Sequence, residues 1–378
     1  MRKLDNNTAV FVELLKAGLW EHEVQLSYFD DIDFTRVYDL ACEQSVVGLV
    51  AAGIEHAKDV KVPKPIALEF ASTTIQLEQN NKAMNSFIAR LVNEMRQAGI
   101  YTLLLKGQGI SQCYEKPLWR ACGDIDFFLN RDDFEKATYF LKHRASEVSE
   151  TDDYKYHLPM TIDNWVVELH GTMRGGLWKR LDGALDEIQK GIFYSGNVRS
   201  WMNEGCQIFL PRADEDIAFV FSHILQHFFR GGIGLRQVCD WCRLLWTYRD
   251  KFDMSLLGKR FQSMGVVTEW KAFASLAVEY LGMPKEAMPF YSSSTCWKRK
   301  AYRILKLILE TGNFGQNRDL QYQQNHSFFV RKAISLWRLT WDSMRQLLIF
   351  PIDPIRVWLN MFDSRMRLLF QRNFSCKE

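Results

Sequence analysis

The sequence predicts an α+β fold in which a small mixed β-sheet lies between an N-terminal and a C-terminal helical region. Three observations carry this. Apolar residues recur at helical spacing up to about residue 98, as in Val10, Leu14, Leu15 and Leu19. Short runs of strand formers separated by turn residues then take over and end at Pro211. Helical patterning returns from Asp214. The 378 residues suffice for two or three domains and a large core, and these shifts of texture place the expected boundaries at 1–98, 99–211 and 212–378.

The elements follow in order. Leu68 to Met95 is a long polar–apolar pattern without glycine or proline, entered after Pro63 and Pro65. Gln97-Ala98-Gly99 ends it, with Gly99 the expected C-cap. Ile100 to Leu105 reads as a strand running into Lys106-Gly107-Gln108-Gly109, and Ile125 to Leu129 as a second strand. Asp132 to His143 reads as a helix, with Asp132 and Asp133 near its positive end. His157 to Ile162 and Trp165 to His170 form two strands joined by a two-residue turn at Asp163-Asn164. Gly175-Gly176 is a break, and Gln207 to Leu210 is a further strand. Asp214 to Phe229, Val238 to Tyr248 and Trp270 to Tyr280 read as helices. There is no internal repeat or low-complexity segment. Phe328 to Phe374 is basic and aromatic, and reads first as amphipathic helices packed on the body and broken at Pro351 and Pro354. An interfacial or acceptor-binding surface is the second reading of that segment.

Composition narrows the function. A net charge of +3 is nearly balanced, so nothing global argues for nucleic acid, and no clear nucleic-acid motif is present. Eight scattered cysteines in a chain this large read as reduced thiols, and Cys239 and Cys242 lack the second pair that a zinc ribbon needs. No apolar signal segment follows Met1-Arg2-Lys3, and the longest apolar stretch, Val46 to Ile54, is too short to span a bilayer. A cytoplasmic protein is expected, with at most peripheral membrane contact through the basic C-terminal segment.

Strand alternation places Asp124 and Asp126 on one face and Ile125 and Phe127 on the other. Adjacent carboxylates raise each other's pKa, and a hard divalent cation with oxygen ligands relieves the conflict. A solvated Asp-x-Asp at a strand edge is the plainer reading, and for an isolated motif it wins. Three neighbours shift the balance. Gly123 leaves room for close approach before the first aspartate, and Lys106-Gly107 ends a strand where a triphosphate can meet backbone N–H groups. Glu168 shares a strand face with His170, opposite Val167 and Leu169, and offers a third carboxylate as metal ligand or base.

Leu103-Leu104-Leu105-Lys106-Gly107, Tyr114, Arg120 and Gly123-Asp124-Ile125-Asp126-Phe127-Phe128 together resemble the signature of the DNA polymerase β-like nucleotidyltransferases. The resemblance is to their bacterial group of uncharacterised nucleotidyltransferases. Val167-Glu168-Leu169-His170 resembles that group's third-acid strand, and His223-Ile224-Leu225-Gln226-His227 with Arg230 and Asp240 its helical segment. The likeness covers roughly residues 80 to 250. It departs from the wider superfamily where Gly107-Gln108 stands in place of Gly-Gly or Gly-Ser. The resemblance implies a nucleotidyltransferase core at 99–211, Mg2+ (or Mn2+) as cofactor, and a nucleoside triphosphate, ATP favoured, as donor to an unidentified acceptor. Asp124, Asp126 and Glu168 are then the metal-holding catalytic set, and Lys106, Gly107, Gly123 and Arg120 the nucleotide contacts.

Other residues have two readings each. Lys106 is either a surface lysine or a point charge for phosphate. Arg120 either contacts nucleotide or orients Asp124 or Asp126 by a salt bridge. His223 and His227 share a helix face, but Ile224 replaces the glutamate of a zinc protease motif. His227 and Arg230, one turn apart, are expected substrate contacts, His170 is expected to orient a carboxylate or contact substrate, and His223 is expected in a core or hydrogen-bonding role. The competing functions are a non-catalytic nucleotide-binding protein of the same fold, and a docking protein acting through the basic C-terminal segment.

Overall fold

A computed structural model describes residues 4–149, 156–317 and 328–362. Its first helix, α1 (Asn6–Trp20), starts at Asp5, whose carboxylate accepts from the Thr8 backbone N–H at 3.0 Å. Asp33 caps α2 (Phe34–Glu43) in the same way. The apolar stretch noted in the sequence is α3 (Val47–Glu55), which lies directly against α1. A Cβ on Gly18 would overlap the Leu49 carbonyl oxygen and one on Gly53 the Leu14 carbonyl oxygen, so glycine sets how closely these helices cross. The long helix α4 (Lys64–Gln97) ends at Ala98, and Gly99 follows with φ +71°.

One mixed sheet of seven strands holds the middle of the chain, in the order β3-β4-β5-β2-β1-β7-β6. Its strands are β1 (Leu103–Leu105), which leads through Lys106 into the short helix α5 (Gly107–Ser111), β2 (Asp124–Phe128), β3 (Glu147–Val148), β4 (His157–Ile162), β5 (Trp165–His170), β6 (Val198–Asn203) and β7 (Cys206–Pro211). The central β2 runs antiparallel to β1 and parallel to β5. β4 and β5 have the limits read from the sequence, and Asp163 and Asn164 take the two positive φ values of a type I′ turn. β1 is shorter than expected, because Ile100 to Thr102 leads in without pairing. β3 and β6 were not expected. β6 lies at the sheet edge with Met202 exposed and only Asn203 buried, so it lacks an apolar face to announce it.

The sheet is covered on both faces. Leu104, Ile125, Phe127, Val167, Leu169, Ile208 and Leu210 pack beneath α4 and α6 (Arg131–Lys142). Leu103, Leu105 and Phe128 point the other way, towards α7 (Lys179–Ser195) and α8 (Ala213–Arg230). Helices α9 (Leu235–Thr247), α10 (Met254–Met264), α11 (Val267–Leu281) and α12 (Thr295–Thr311) extend this second layer. Cys239 and Cys242 are buried free thiols inside α9, and burial raises the pKa of both. Among the described residues, no helix is long and apolar enough to cross a membrane.

The C-terminal segment is helical, as α13 (Phe328–Leu347) and again over 353–362, with the break at 348–352 and Pro354 inside the second helix. Leu339, Ser343 and Gln346 are buried, while Trp337, Trp341 and Met344 are exposed. The side chains of Arg331 and Lys332, and all of Asp363, Arg365, Arg367 and Arg372, lie outside the described residues.

Candidate active site

The sheet register builds the acidic centre. Asp126 is paired with Leu105 on one side and with Glu168 on the other, so its carboxylate and that of Glu168 share the face turned towards α8 and α9. Asp124, two residues earlier, shares it too. One carboxylate oxygen from each of Asp124, Asp126 and Glu168 lies within 4.8 Å of the others.

Lys106 closes this group from the end of β1. Its backbone (φ 50°, ψ −141°) and that of Gly107 (φ 42°) turn the chain sharply out of the strand. For a lysine such a conformation costs about 1–3 kcal/mol. The turn lays Nζ 3.0 Å from Asp126 Oδ1 and 3.1 Å from His223 Nε2. On the other flank His170 Nε2 lies 2.8 Å from Asp126 Oδ1 and 3.4 Å from Glu168 Oε2, and His157 Nε2 lies 3.1 Å from Glu168 Oε2.

These contacts split the carboxylates electrostatically. Burial raises the pKa of Asp126, but the Lys106 charge and the His170 hydrogen bond outweigh it and hold it low. Asp124 goes up, first because of the neighbouring Asp126 charge and then through burial. At Glu168 burial is outweighed by hydrogen bonds from His157 and His170, which pull its pKa well down. His170 is raised, since its bonds to Asp126 and Glu168 overcome burial.

Helices α8 and α9 form the opposite wall. His223 bridges Lys106 and His227, with 3.0 Å between the two Nε2 atoms. Burial and then the Lys106 charge push His223 far below its usual pKa and His227 down to about 4, so both are neutral. The ring of Phe314 meets that of His227 at 4.9 Å and also lines the cleft. Arg236 at the start of α9 lines the cleft beside Asp124 and donates from Nη1 to the Ala121 carbonyl at 2.7 Å. Its Nε is buried and has no hydrogen-bond partner among the described residues.

A family model described as "Uncharacterised nucleotidyltransferase" matches residues 30–282. The chain belongs to this family. Among solved structures, an antigenic nucleotidyltransferase-like protein from Paracoccidioides brasiliensis aligns with a TM-score of 0.32 and 11% identity, over 52% of this chain and 92% of that one. No curated protein matches.

The placement of the other expected residues in this nucleotidyltransferase family member differs from case to case. Arg120 does not reach Asp124 or Asp126. It makes a two-pronged pair with Asp240, at 3.0 Å from Nε and 2.6 Å from Nη2, and Tyr114 donates to the same carboxylate at 2.8 Å. That buried pair ties the β2 approach to α9, although Arg120 still borders the cleft. Arg230 donates from Nη2 to the Gly176 carbonyl at 2.7 Å. His223, expected in a core or hydrogen-bonding role, lies 3.1 Å from the Lys106 ammonium. Gly123 has open space where a Cβ would stand, so nothing in the protein itself demands glycine there. Gln108, at the departure from the superfamily pattern, is buried and donates to Asn81 Oδ1 at 2.8 Å. It braces the turn against α4 and faces away from the cleft.

Sequence reasoning passed over Arg236 and His157. Arg236 stands four residues before Asp240, on the α9 face that meets the sheet. His157 is the register partner of His170 across the hairpin, a relationship that alternation and the two-residue turn imply.

The donor set at the centre fits a hard divalent cation. Three carboxylates converge, the charge of Asp126 already penalises ionisation of Asp124, and among these three carboxylates Lys106 makes its ion pair with Asp126.

Proposed function

We propose that this protein transfers a nucleoside monophosphate from a nucleoside triphosphate, ATP favoured, to an acceptor hydroxyl or phosphate, releasing pyrophosphate. The observation that carries this is the convergence of Asp124, Asp126 and Glu168 on one sheet face, with Lys106 beside them at the end of β1 and Arg236 on the facing wall. Carboxylates alone would repel a triphosphate. A cleft lined by Asp124 and Asp126, with Glu168 beside them and the cations Lys106 and Arg236 facing it, is suited to a polyanion that arrives with a divalent cation.

Asp124, Asp126 and Glu168 would hold Mg2+ or Mn2+, which when bound supplies charge neutralisation at the phosphates. Of the two roles open to Glu168, ligand fits better than base, because two imidazoles already donate to it and lower its affinity for a proton. Lys106 and Arg236 would hold the β- and γ-phosphates as point charge and planar donor respectively. The Gly107 and Gly123 backbones would line the path of the chain of phosphates. In the transfer, the acceptor oxygen bonds to the α-phosphorus as the bond from that phosphorus to the β-bridging oxygen breaks. The acceptor proton leaves to solvent or a nearby base, and pyrophosphate carries away the displaced oxygen. Holding donor and acceptor in line is the main service of such a cleft.

The test uses nucleoside triphosphates labelled at the α- or the γ-phosphorus, each with Mg2+ or Mn2+ and cell extract. The reading expects α-label on a macromolecule or small acceptor, pyrophosphate release, and neither with Asp124→Asn. Binding of a nucleotide without α-label transfer, in every extract fraction, would replace it with a non-catalytic nucleotide-binding role.

A further inference from the structure

Beside the acidic centre, and partly outside it, two imidazoles and a carboxylate meet. His157 on β4 and His170 on β5 are register partners across an antiparallel pair, so both rings leave the sheet on the same face. Their centroids lie 4.7 Å apart at 35°. Glu168, two residues before His170, shares that face. One ligand atom from each of His157, Glu168 and His170 lies within 4.8 Å of the other two.

We propose that His157, Glu168 and His170 form a second cation site, made of two imidazole nitrogens and one carboxylate oxygen, that takes a divalent transition-metal ion of the Zn2+ or Co2+ kind. Geometry supports it first. For metal–ligand bonds of about 2.0–2.1 Å, two ligands of a tetrahedral ion stand about 3.3–3.4 Å apart. The observed separations from Glu168 Oε2 are 3.1 Å to His157 Nε2 and 3.4 Å to His170 Nε2. All three ligand atoms lie within 4.8 Å of one another, so an ion can take the place among them by side-chain adjustment on two paired strands.

Donor chemistry supports it second. The Asp124, Asp126 and Glu168 set offers oxygen alone and suits Mg2+. Two imidazoles with one carboxylate favour later first-row metals and zinc by the general affinity order, and hold Mg2+ poorly. Access is the third support. The side chains of His157, Glu168 and His170 are 24%, 24% and 17% exposed, so an ion reaches them and keeps a position for water or another ligand. Glu168 belongs to both sets and would bridge the two positions. His170 also touches Asp126, so an ion in the second site withdraws a hydrogen bond from the first. The two sites are coupled through these two residues.

This inference goes beyond nucleotidyl transfer and needs no nucleotide. Its test is Co2+ and Zn2+ binding to the metal-free full chain in excess Mg2+. Wild-type protein should bind one Co2+ with the intense visible band of a low-coordinate, nitrogen-ligated ion. His157→Gln should weaken Zn2+ at least tenfold in competition with a chromophoric chelator, and Asp124→Asn should change it less than threefold. In unmodified protein the imidazole 15N resonances of His157 and His170 should move on Zn2+ addition, while those of His223 and His227 stay. Unchanged affinity in His157→Gln, or unmoved resonances of His157 and His170, would show that the imidazoles only orient Glu168 through hydrogen bonds. Loss of Zn2+ in Asp124→Asn with retention in His157→Gln would assign the ion to the oxygen set and overturn the proposal. None of these readouts depends on turnover, so a protein that transfers no nucleotide still decides the question.

Discussion

The ammonium of Lys106 lies 3.0 Å from Asp126 Oδ1, held there by a backbone turn that is unfavourable for lysine. The chain thus places a cation of its own against the most deeply buried member of the acidic set. Lys106→Met keeps most of the side-chain volume and removes the charge. Breaking a buried ion pair costs about 3–5 kcal/mol, and the remaining His170 contact should keep the loss near the lower figure. Calorimetry in chelator should therefore show a lower Tm for Lys106→Met, and Mg2+ should restore more of it than it adds to wild type. An equal Mg2+ response in both proteins would mean that lysine and metal do not serve the same charge.

Asp124 and Asp126 should respond differently to the same substitution. The folded pKa of Asp124 is raised, so the native state holds a proton to higher pH than the unfolded chain does. Its contribution to stability falls as pH rises through that interval. The folded pKa of Asp126 is lowered, so it contributes stability above the unfolded carboxylate value, and that is lost as pH falls through the folded one. At pH 7 without metal, Asp124→Asn should match or exceed the wild-type Tm, and Asp126→Asn should fall below it. Both should reduce transfer by about 10³-fold, the equivalent of about 4 kcal/mol of charge stabilisation at the phosphates. Matching stabilities for the two variants would contradict the split.

The contrast between these aspartates was not legible in the sequence, although their shared face was. Alternation fixes which side chains leave a strand together, and the Asp163-Asn164 turn fixes the register of β4 on β5, so Asp124, Asp126, Glu168 and His170 could be placed from local rules. What a face meets depends on packing between distant segments. Arg120 finds Asp240 across 120 residues of chain and Lys106 finds His223 across 117, and no periodicity encodes either. The positive φ of Lys106 was hidden for another reason. Lysine has no preference for that region, and the turn is imposed by Gly107 and by Gln108, whose side chain is fastened to α4 through Asn81.

Arg236 offers a test of the triphosphate side of the cleft. Its Nη1 is engaged by the Ala121 carbonyl, its Nε has no partner among the described residues, and burial followed by the nearby Arg120 lowers its pKa. A buried cation of this kind is poorly compensated by the protein and well suited to an anion. A hydrogen bond to a charged group contributes about 1.5–3 kcal/mol, which corresponds to about 10- to 100-fold in affinity. Arg236→Met should raise the KM for nucleoside triphosphate by that factor and weaken Mg2+-tripolyphosphate equally, with Tm unchanged or higher. A lowered Tm with unaltered KM would reduce Arg236 to a brace for the loop before β2.

The paired histidines of the opposite wall should leave a mark on the pH dependence of stability. His223 is held far below its usual pKa and His227 at about 4, in both cases first by burial and then by the Lys106 charge. An unfolded histidine takes up a proton near pH 6.5. Between that value and about 4 the unfolded state therefore binds more protons than the native one, and stability falls as pH falls. The slope is at most about 1.4 kcal/mol per pH unit for each histidine. His170 has the opposite shift, so its contribution is complete below about pH 6.5 and is lost as pH rises through its folded pKa, outside this window. Glu269 opposes the pair inside the window, because burial raises its pKa to about 9 and makes stability fall as pH rises. The raw profile therefore mixes signs, and the difference between wild type and variant isolates the histidines. Urea unfolding of wild type, His227→Gln and His223→Gln at pH 7.5, 6 and 5 should show each variant losing less stability than wild type between pH 6 and 5. Parallel profiles would mean that these imidazoles take up protons in the folded protein, and that the wall facing Lys106 is charged rather than neutral.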